Sequence, residues 1–174
     1  DASLGKYDST LIEMIAIVFM LAGGVNFSIH FIAWRRLSLQ PYGTDPEVRV
    51  YGMLFVLATL FVAASLYWTD AYTEASEALR YAMFQVASIL TSTGFGNANF
   101  AEWPLHIPLI LVILSFTGGC AGSTAGGIKI LRIMLLAKLG LRQLFQLAHP
   151  QSVSLVKLGR QPVSDEIVFS VWGF

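Results

Sequence analysis

Charge is what this chain has least of. Charged residues make up 13% of its 174 residues and hydrophobic ones 55%, and mean hydropathy is +0.64, too apolar for an ordinary soluble domain. The formal net charge is zero, so overall balance points to neither nucleic acid nor an acidic partner, and the charges matter through their placement. A single cysteine, Cys120, excludes an internal disulfide. The opening stretch DASLGKYDST lacks the basic-then-apolar order of a signal peptide. The last residues, VFSVWGF, are an apolar run that has barely begun, so the chain reads as an excerpt of a longer polypeptide.

What is present are apolar runs of membrane length. Residues 11–34 are long enough for a tilted crossing of a hydrocarbon core about 30 Å thick, and close on Arg35 and Arg36. A polar hinge at 38–47, with Pro41, Gly43 and Pro46, precedes a second run at 51–68 whose interfaces are marked by Tyr51, Tyr67, Trp68 and Tyr72. Residues 74–90 follow as an amphipathic helix, with Thr73 available as N-cap and Glu74 and Glu77 in an acidic first turn. Carrying Arg80 and Gln85, this helix reads as re-entrant rather than as a third crossing. The run at 103–117 is short for a full span and leads into the small-residue stretch GGCAGSTAGG. A basic amphipathic helix resumes at 128–148, and 149–165 is a polar connection with a short strand expected at 153–158.

Placement of the charges tests this layout. If 74–90 re-enters, Arg35, Arg36, Arg49, Lys129, Arg132, Lys138, Arg142, Lys157 and Arg160 share one side, cytoplasmic by the positive-inside tendency, leaving Lys6 and Arg80 opposite. The outer side collects Asp1, Asp8, Glu13, Asp70, Glu74, Glu77 and Glu102. These read either as solvated loop charges or as carboxylates raising local cation concentration at a pore mouth.

The most informative stretch is LTSTGFGNANF, at 90–100. A Thr-Ser-Thr-Gly-Phe-Gly run directly after a helix that dips into the membrane is what a backbone cation filter requires. Hydroxyls and carbonyls replace ion hydration, and glycine turns successive carbonyls toward one axis. The helix also points its partially negative C-terminal end toward mid-membrane. The candidate coordinating carbonyls are those of Thr91, Ser92, Thr93, Gly94 and Phe95, with Phe95 wedging the loop from behind. A helix-capping polar loop is the bland alternative, disfavoured because irregular backbone at membrane depth is tolerated only when buried in protein or lining a water path.

With TSTGFGN at 91–97 and TGGCAGSTAGGIKILR at 117–132, the chain resembles the Trk/Ktr/HKT superfamily of potassium transporters, most closely its bacterial Trk-type uptake membrane subunits. GGVNFSIHF at 23–31 and HPQSVSLVKLG at 149–159 are also similar. The resemblance implies an all-α integral membrane protein of four helix–pore loop–helix repeats around one pore, of which this chain holds part. Residues 1–36 become the inner helix of a preceding repeat and 37–50 a cytoplasmic loop. Residues 51–148 form a complete repeat: outer helix 51–68, pore helix 74–90, filter 91–96, inner helix 103–148 broken at 118–127. Residues 149–165 connect to the next repeat, opening at 166–174. The implied function is potassium uptake across the bacterial inner membrane by a multi-pass protein, with Rb+, Na+ or H+ as further ions. Also implied are a homodimer, a cytoplasmic nucleotide-binding regulatory subunit, and Gly94 as the critical filter glycine.

In that family the broken stretch is an intramembrane gating loop, here Gly118, Gly119, Cys120, Ala121, Gly122, Ser123, Thr124, Ala125, Gly126 and Gly127. Its own chemistry allows two readings. The Gly118, Gly122, Gly126 spacing suits close helix packing, whereas the density of glycine, serine and threonine suits a movable break whose hydroxyls satisfy freed backbone groups. Density and resemblance together favour the gate. The basic face at 129–142, with Lys157 and Arg160, suits a regulatory subunit or anionic lipid.

Other readings carry less. GSTAGGIK at 122–129 fails as a phosphate loop, because Lys129 is one residue late and no Ser or Thr follows. Ser123 with His30 or His106 would make an intramembrane hydrolase, yet no G-x-S-x-G surrounds Ser123. A symmetric tetrameric pore-loop channel is the transport alternative. Asn26 and His30, four apart, suit hydrogen bonding to a neighbouring helix. His149 reads as a surface turn and Cys120 as a small packing residue.

Overall fold

The computed structural model describes residues 4–149, 157–158 and 161–162. The expected opening of a further repeat at 166–174 and most of the 149–165 connection lie outside them. Seven α-helices are described: α1 (Thr10–Gly23), α2 (Phe27–Arg36), α3 (Gln40–Thr44), α4 (Pro46–Trp68), α5 (Ala75–Leu90), α6 (His106–Thr117) and α7 (Ile130–Ala148). Short 3-10 turns stand at Gly5–Tyr7 and Phe100–Glu102. Of the strand expected at 153–158, Lys157–Leu158 is found, pairing antiparallel with Gln161–Pro162.

The run at 11–34, expected as one continuous helix, is broken: α1 and α2 meet at a bend of 101°. Hydropathy is continuous across the bend, but the backbone is not. Asn26 caps α2, its Oδ1 accepting from the Ser28 N–H at 2.9 Å, and the carbonyls of Gly23 and Gly24 accept from residues about a hundred positions later.

The second run begins earlier than its apolar residues suggest. Asp45 Oδ1 accepts from the N–H groups of Glu47 and Val48 at 2.9 and 3.0 Å, and Pro46 occupies the first turn, where its missing N–H is no loss. The resulting 23-residue α4 is the one described helix long and apolar enough to cross a bilayer unbroken. The hinge before it holds the short α3. Tyr51, expected at an interface, is buried instead, its hydroxyl donating to the Leu21 carbonyl at 3.2 Å. Tyr72 is also drawn inward, stacked on Tyr81 at 4.8 Å and accepting from Trp103 Nε1 at 3.3 Å. Burial raises its phenol pKa against the lowering effect of the Trp103 bond.

α5 is the centre of the core. It lies against α4, α1 and α6 and buries Ala78, Ala82, Phe84, Val86, Ala87 and Leu90 completely. Small residues on one face let α4 approach closely, while Phe84 fills the α1 side with Ile17 and Met20. Thr73 does not cap α5; Glu74 holds the N-cap position without a side-chain bond.

A buried ion pair fixes α5 to α1. Arg80 Nε donates to Glu13 Oε2 at 2.7 Å and Nη2 to Glu13 Oε1 at 3.0 Å, with Asp8 Oδ1 at 3.1 Å. Glu13 is thus neither a solvated loop charge nor a free charge at a mouth; its side chain is 2% exposed, whereas that of Asp8 is 81% exposed. Glu13→Ala removes two of the three bonds of the half-buried guanidinium, leaving it Asp8, and is expected to destabilise the fold by about 2 kcal/mol. Asp8→Ala should be nearly silent, because an exposed pair contributes little. Melting of the detergent-solubilised full-length parent and both variants checks the contrast.

Candidate functional site

Three segments meet at one end of α5: the hydroxyl-rich stretch 91–96, the bend at 23–26 and the glycine-rich stretch 118–127. Thr91 closes α5, with Oγ1 2.7 Å from both the Ala87 carbonyl and Thr93 Oγ1. The Thr93 N–H donates to the Ser88 carbonyl at 2.9 Å. Beyond this turn the chain is extended and pinned from behind by the two buried polar residues of α5. Ser88 Oγ donates to the Phe95 carbonyl at 2.6 Å, and Gln85 Nε2 to the Ala98 carbonyl at 3.1 Å. The Gly96 carbonyl accepts from the N–H groups of Leu4 and Gly5 at 3.1 and 3.3 Å.

Among the described residues, none donates a hydrogen bond to the carbonyls of Thr91, Ser92, Thr93 or Gly94. Four successive carbonyls are therefore left to an outside partner, while the next, that of Phe95, is engaged by Ser88. The Phe95 ring is not wedged behind the loop: it is 43% exposed and lines a cleft of about 490 Å³ with Gln85, Ser88, Gly94 and Phe100. Gly94 has φ +80°, a conformation that L side chains rarely adopt, and a Cβ built there would meet nothing within 4 Å.

The glycine-rich stretch is irregular backbone folded on itself. The Ile128 N–H donates to the Phe116 carbonyl at 2.9 Å, so the stretch leaves and rejoins the helical path at one place. A Cβ at Gly118 would lie 2.0 Å from the Gly126 carbonyl oxygen, so only glycine permits this closure. The stretch is tied to the α1–α2 bend: Cys120 N–H to Gly24 carbonyl at 2.8 Å, Thr124 Oγ1 to Gly23 carbonyl at 3.1 Å, and Phe27 N–H to Gly122 carbonyl at 3.2 Å. It also reaches the hydroxyl-rich stretch, since a Cβ at Gly126 would lie 3.3 Å from Ser92 Oγ. Of the two readings open in sequence, straight helix packing is excluded, because 118–127 is not helical.

Sequence reasoning missed Glu47. Its Oε1 accepts from the Ala121 N–H at 2.6 Å and the Leu131 N–H at 3.1 Å. A second acid two residues after the cap Asp45, on the side that carries Arg35, Arg36 and Arg49, was the available signal. Lys129, from the α7 side, donates its ammonium to the carbonyls of Ser123 and Ala125. His30, weighed as a partner for Ser123, is engaged elsewhere, with Nε2 2.9 Å from the Ala22 carbonyl and Nδ1 2.7 Å from the Tyr42 hydroxyl. Because a carbonyl only accepts, Nε2 carries a proton. Asn26 serves the cap of its own helix rather than another helix. Cys120 is fully buried.

A membrane-length helix, a short buried helix that runs into a hydroxyl-rich turn, and two helices joined by an irregular glycine-rich stretch define a mainly helical membrane-protein fold. A family model described as TrkH, cation transport protein, matches residues 1–174, and the chain belongs to that family. It is 43% identical over 174 residues to the Trk system potassium uptake protein TrkH of Halomonas elongata, and 41% identical over 175 residues to that of Escherichia coli K12. Each alignment takes in 100% of this chain and 36% of the relative, so the chain spans about a third of their length. The crystal structure of the potassium transporter TrkH from Vibrio parahaemolyticus superimposes with a TM-score of 0.94 at 41% identity, over 99% of this chain and 37% of that one.

Proposed function

We propose that the full-length parent takes up potassium across a bacterial inner membrane, with Thr91, Ser92, Thr93, Gly94 and Phe95 as one segment of its selectivity filter. The observation that carries this reading is the run of unengaged carbonyls from Thr91 to Gly94, held open by hydroxyls and by α5. A dehydrated cation finds there the oxygen ligands it gave up, and the partially negative C-terminal end of α5 lowers its energy further. The Phe95 carbonyl, fixed by Ser88, sets the frame of the loop. The stretch 118–127, near Ser92 and without regular hydrogen bonding of its own, acts as the gate.

Residues 46–148 then form one repeat and 4–36 the end of the preceding one, with other repeats of the same chain supplying the remaining filter segments. The chain's share of its relatives, 36%, supports several repeats in one polypeptide over a symmetric tetramer. A homodimer and a cytoplasmic nucleotide-binding regulatory subunit, approached through the basic residues of α7, complete the assembly. The relatives' names as potassium uptake proteins support the choice of ion. Vesicles containing the purified full-length parent should take up rubidium in preference to sodium. A folded parent that takes up neither overturns the proposal.

A further inference from the structure

We infer that Glu47 is the positioning residue of the glycine-rich stretch, its carboxylate tying that stretch and the first turn of α7 to the start of α4. The consequence for flux rests on the gate reading above; the geometry does not. Glu47 is 6% exposed, at the foot of an apolar helix, and a carboxylate is tolerated in such a place only when its charge is satisfied. Its own helix does not need it, because Asp45 already accepts from the first N–H groups of α4. The side chain turns instead to residues more than seventy positions away, where one oxygen, Oε1, accepts from both Ala121 and Leu131.

Those two donors lie on either side of the junction at Lys129. Ala121 belongs to the irregular stretch, and Leu131 is the second residue of α7. The residue at the N-cap position of α7, Lys129, makes no side-chain cap bond and has φ +72°. The Glu47 carboxylate replaces the missing cap, at the helix end where an anion is favoured. Lys129 meanwhile sends its ammonium to carbonyls of Ser123 and Ala125. The stretch is thus held by an anion on its N–H side and by a cation on its C=O side. Neither α7 nor the stretch can shift against α4 without losing a bond to the same oxygen, so Glu47 couples their movements.

Cys120, fully buried beside Ala121, reports the position of the stretch. In the full-length parent, with any cysteines outside this chain replaced, Glu47→Ala is expected to speed maleimide labelling of Cys120 at least about tenfold, the smallest change that losing even one charge-assisted hydrogen bond gives. Rubidium uptake should rise with it while the rubidium-to-sodium preference stays unchanged. Glu47→Gln, which keeps a neutral oxygen at the same reach, should restore most of the parental rate. A folded Glu47→Ala protein labelled at the parental rate overturns the inference. Should that variant not fold, Glu47→Asp, with its shorter arm, is judged by the same criterion. Faster labelling with unchanged uptake upholds the positioning role and overturns the gate reading instead.

Discussion

Gly94→Ser in the full-length parent is expected to lower the preference for rubidium over sodium about tenfold, equivalent to about 1.4 kcal/mol, with little loss of fold. The effect follows from two features of one residue. Gly94 has φ +80°, and an L residue held there is strained by roughly 1–2 kcal/mol. Rotation of the peptide would relieve that strain and carry the Gly94 carbonyl away from its neighbours, which in the proposed filter removes one ligand from the ion. Yet the added Cβ would meet nothing within 4 Å, so the protein has no clash to resolve by unfolding. Paired uptake of the two ions in vesicles, beside a melting curve, separates the effects. Parental selectivity in a folded variant would remove this segment from the filter.

Deleting residues 118–127 is expected to raise rubidium uptake several-fold without altering ion preference. The hydrogen bond from the Ile128 N–H to the Phe116 carbonyl, 2.9 Å, already brings the two ends of the stretch together. Thr117 can therefore join Ile128 with α6 and α7 close to their present places. What is lost is the irregular backbone next to Ser92, along with its bonds to Gly23 and Gly24. On the proposed gate reading, removing the stretch should outweigh the effect of loosening it through Glu47. A folded deletion variant that conducts no faster would make the stretch a structural joint between α1 and α6.

Much of the frame was legible because it is encoded locally. Thr91, Ser92, Thr93 and Gly94 follow a helix with Gln85 and Ser88 on it, and those polar residues reappear as the pins of the loop. The glycines at 118–127 announced a break by their density together with the family resemblance, since their spacing alone suited helix packing. The start of α4 was also written locally, in Asp45 and Pro46, but a hinge and a helix start share these residues, and hydropathy drew the boundary too late. The bend at 24–26 was different in kind. Val25 and its apolar neighbours continue a hydrophobic run, and the helix breaks because Gly23 and Gly24 give their carbonyls to Thr124 and Cys120. The local traces of the bend, Gly23, Gly24 and the cap residue Asn26, are short beside the apolar run, and the partners of the two carbonyls lie far along the chain. Glu13 and Glu47 illustrate the same limit for charge: their partners, Arg80 and the N–H groups of Ala121 and Leu131, lie far along the chain. Tyr51 was misplaced because an aromatic at a helix end fits an interface or a core equally well in sequence.

The pairing of Arg80 with Glu13 and Asp8 has a direction in time. Both acids precede the arginine in the chain, as Gly23 and Gly24 precede Cys120 and Thr124. During synthesis from the N-terminus, each later group emerges after its partner has been made, so the guanidinium of α5 meets a waiting carboxylate as it enters the bilayer. A circular permutant beginning at α4 would reverse that order. Its arginine would be made before either acid.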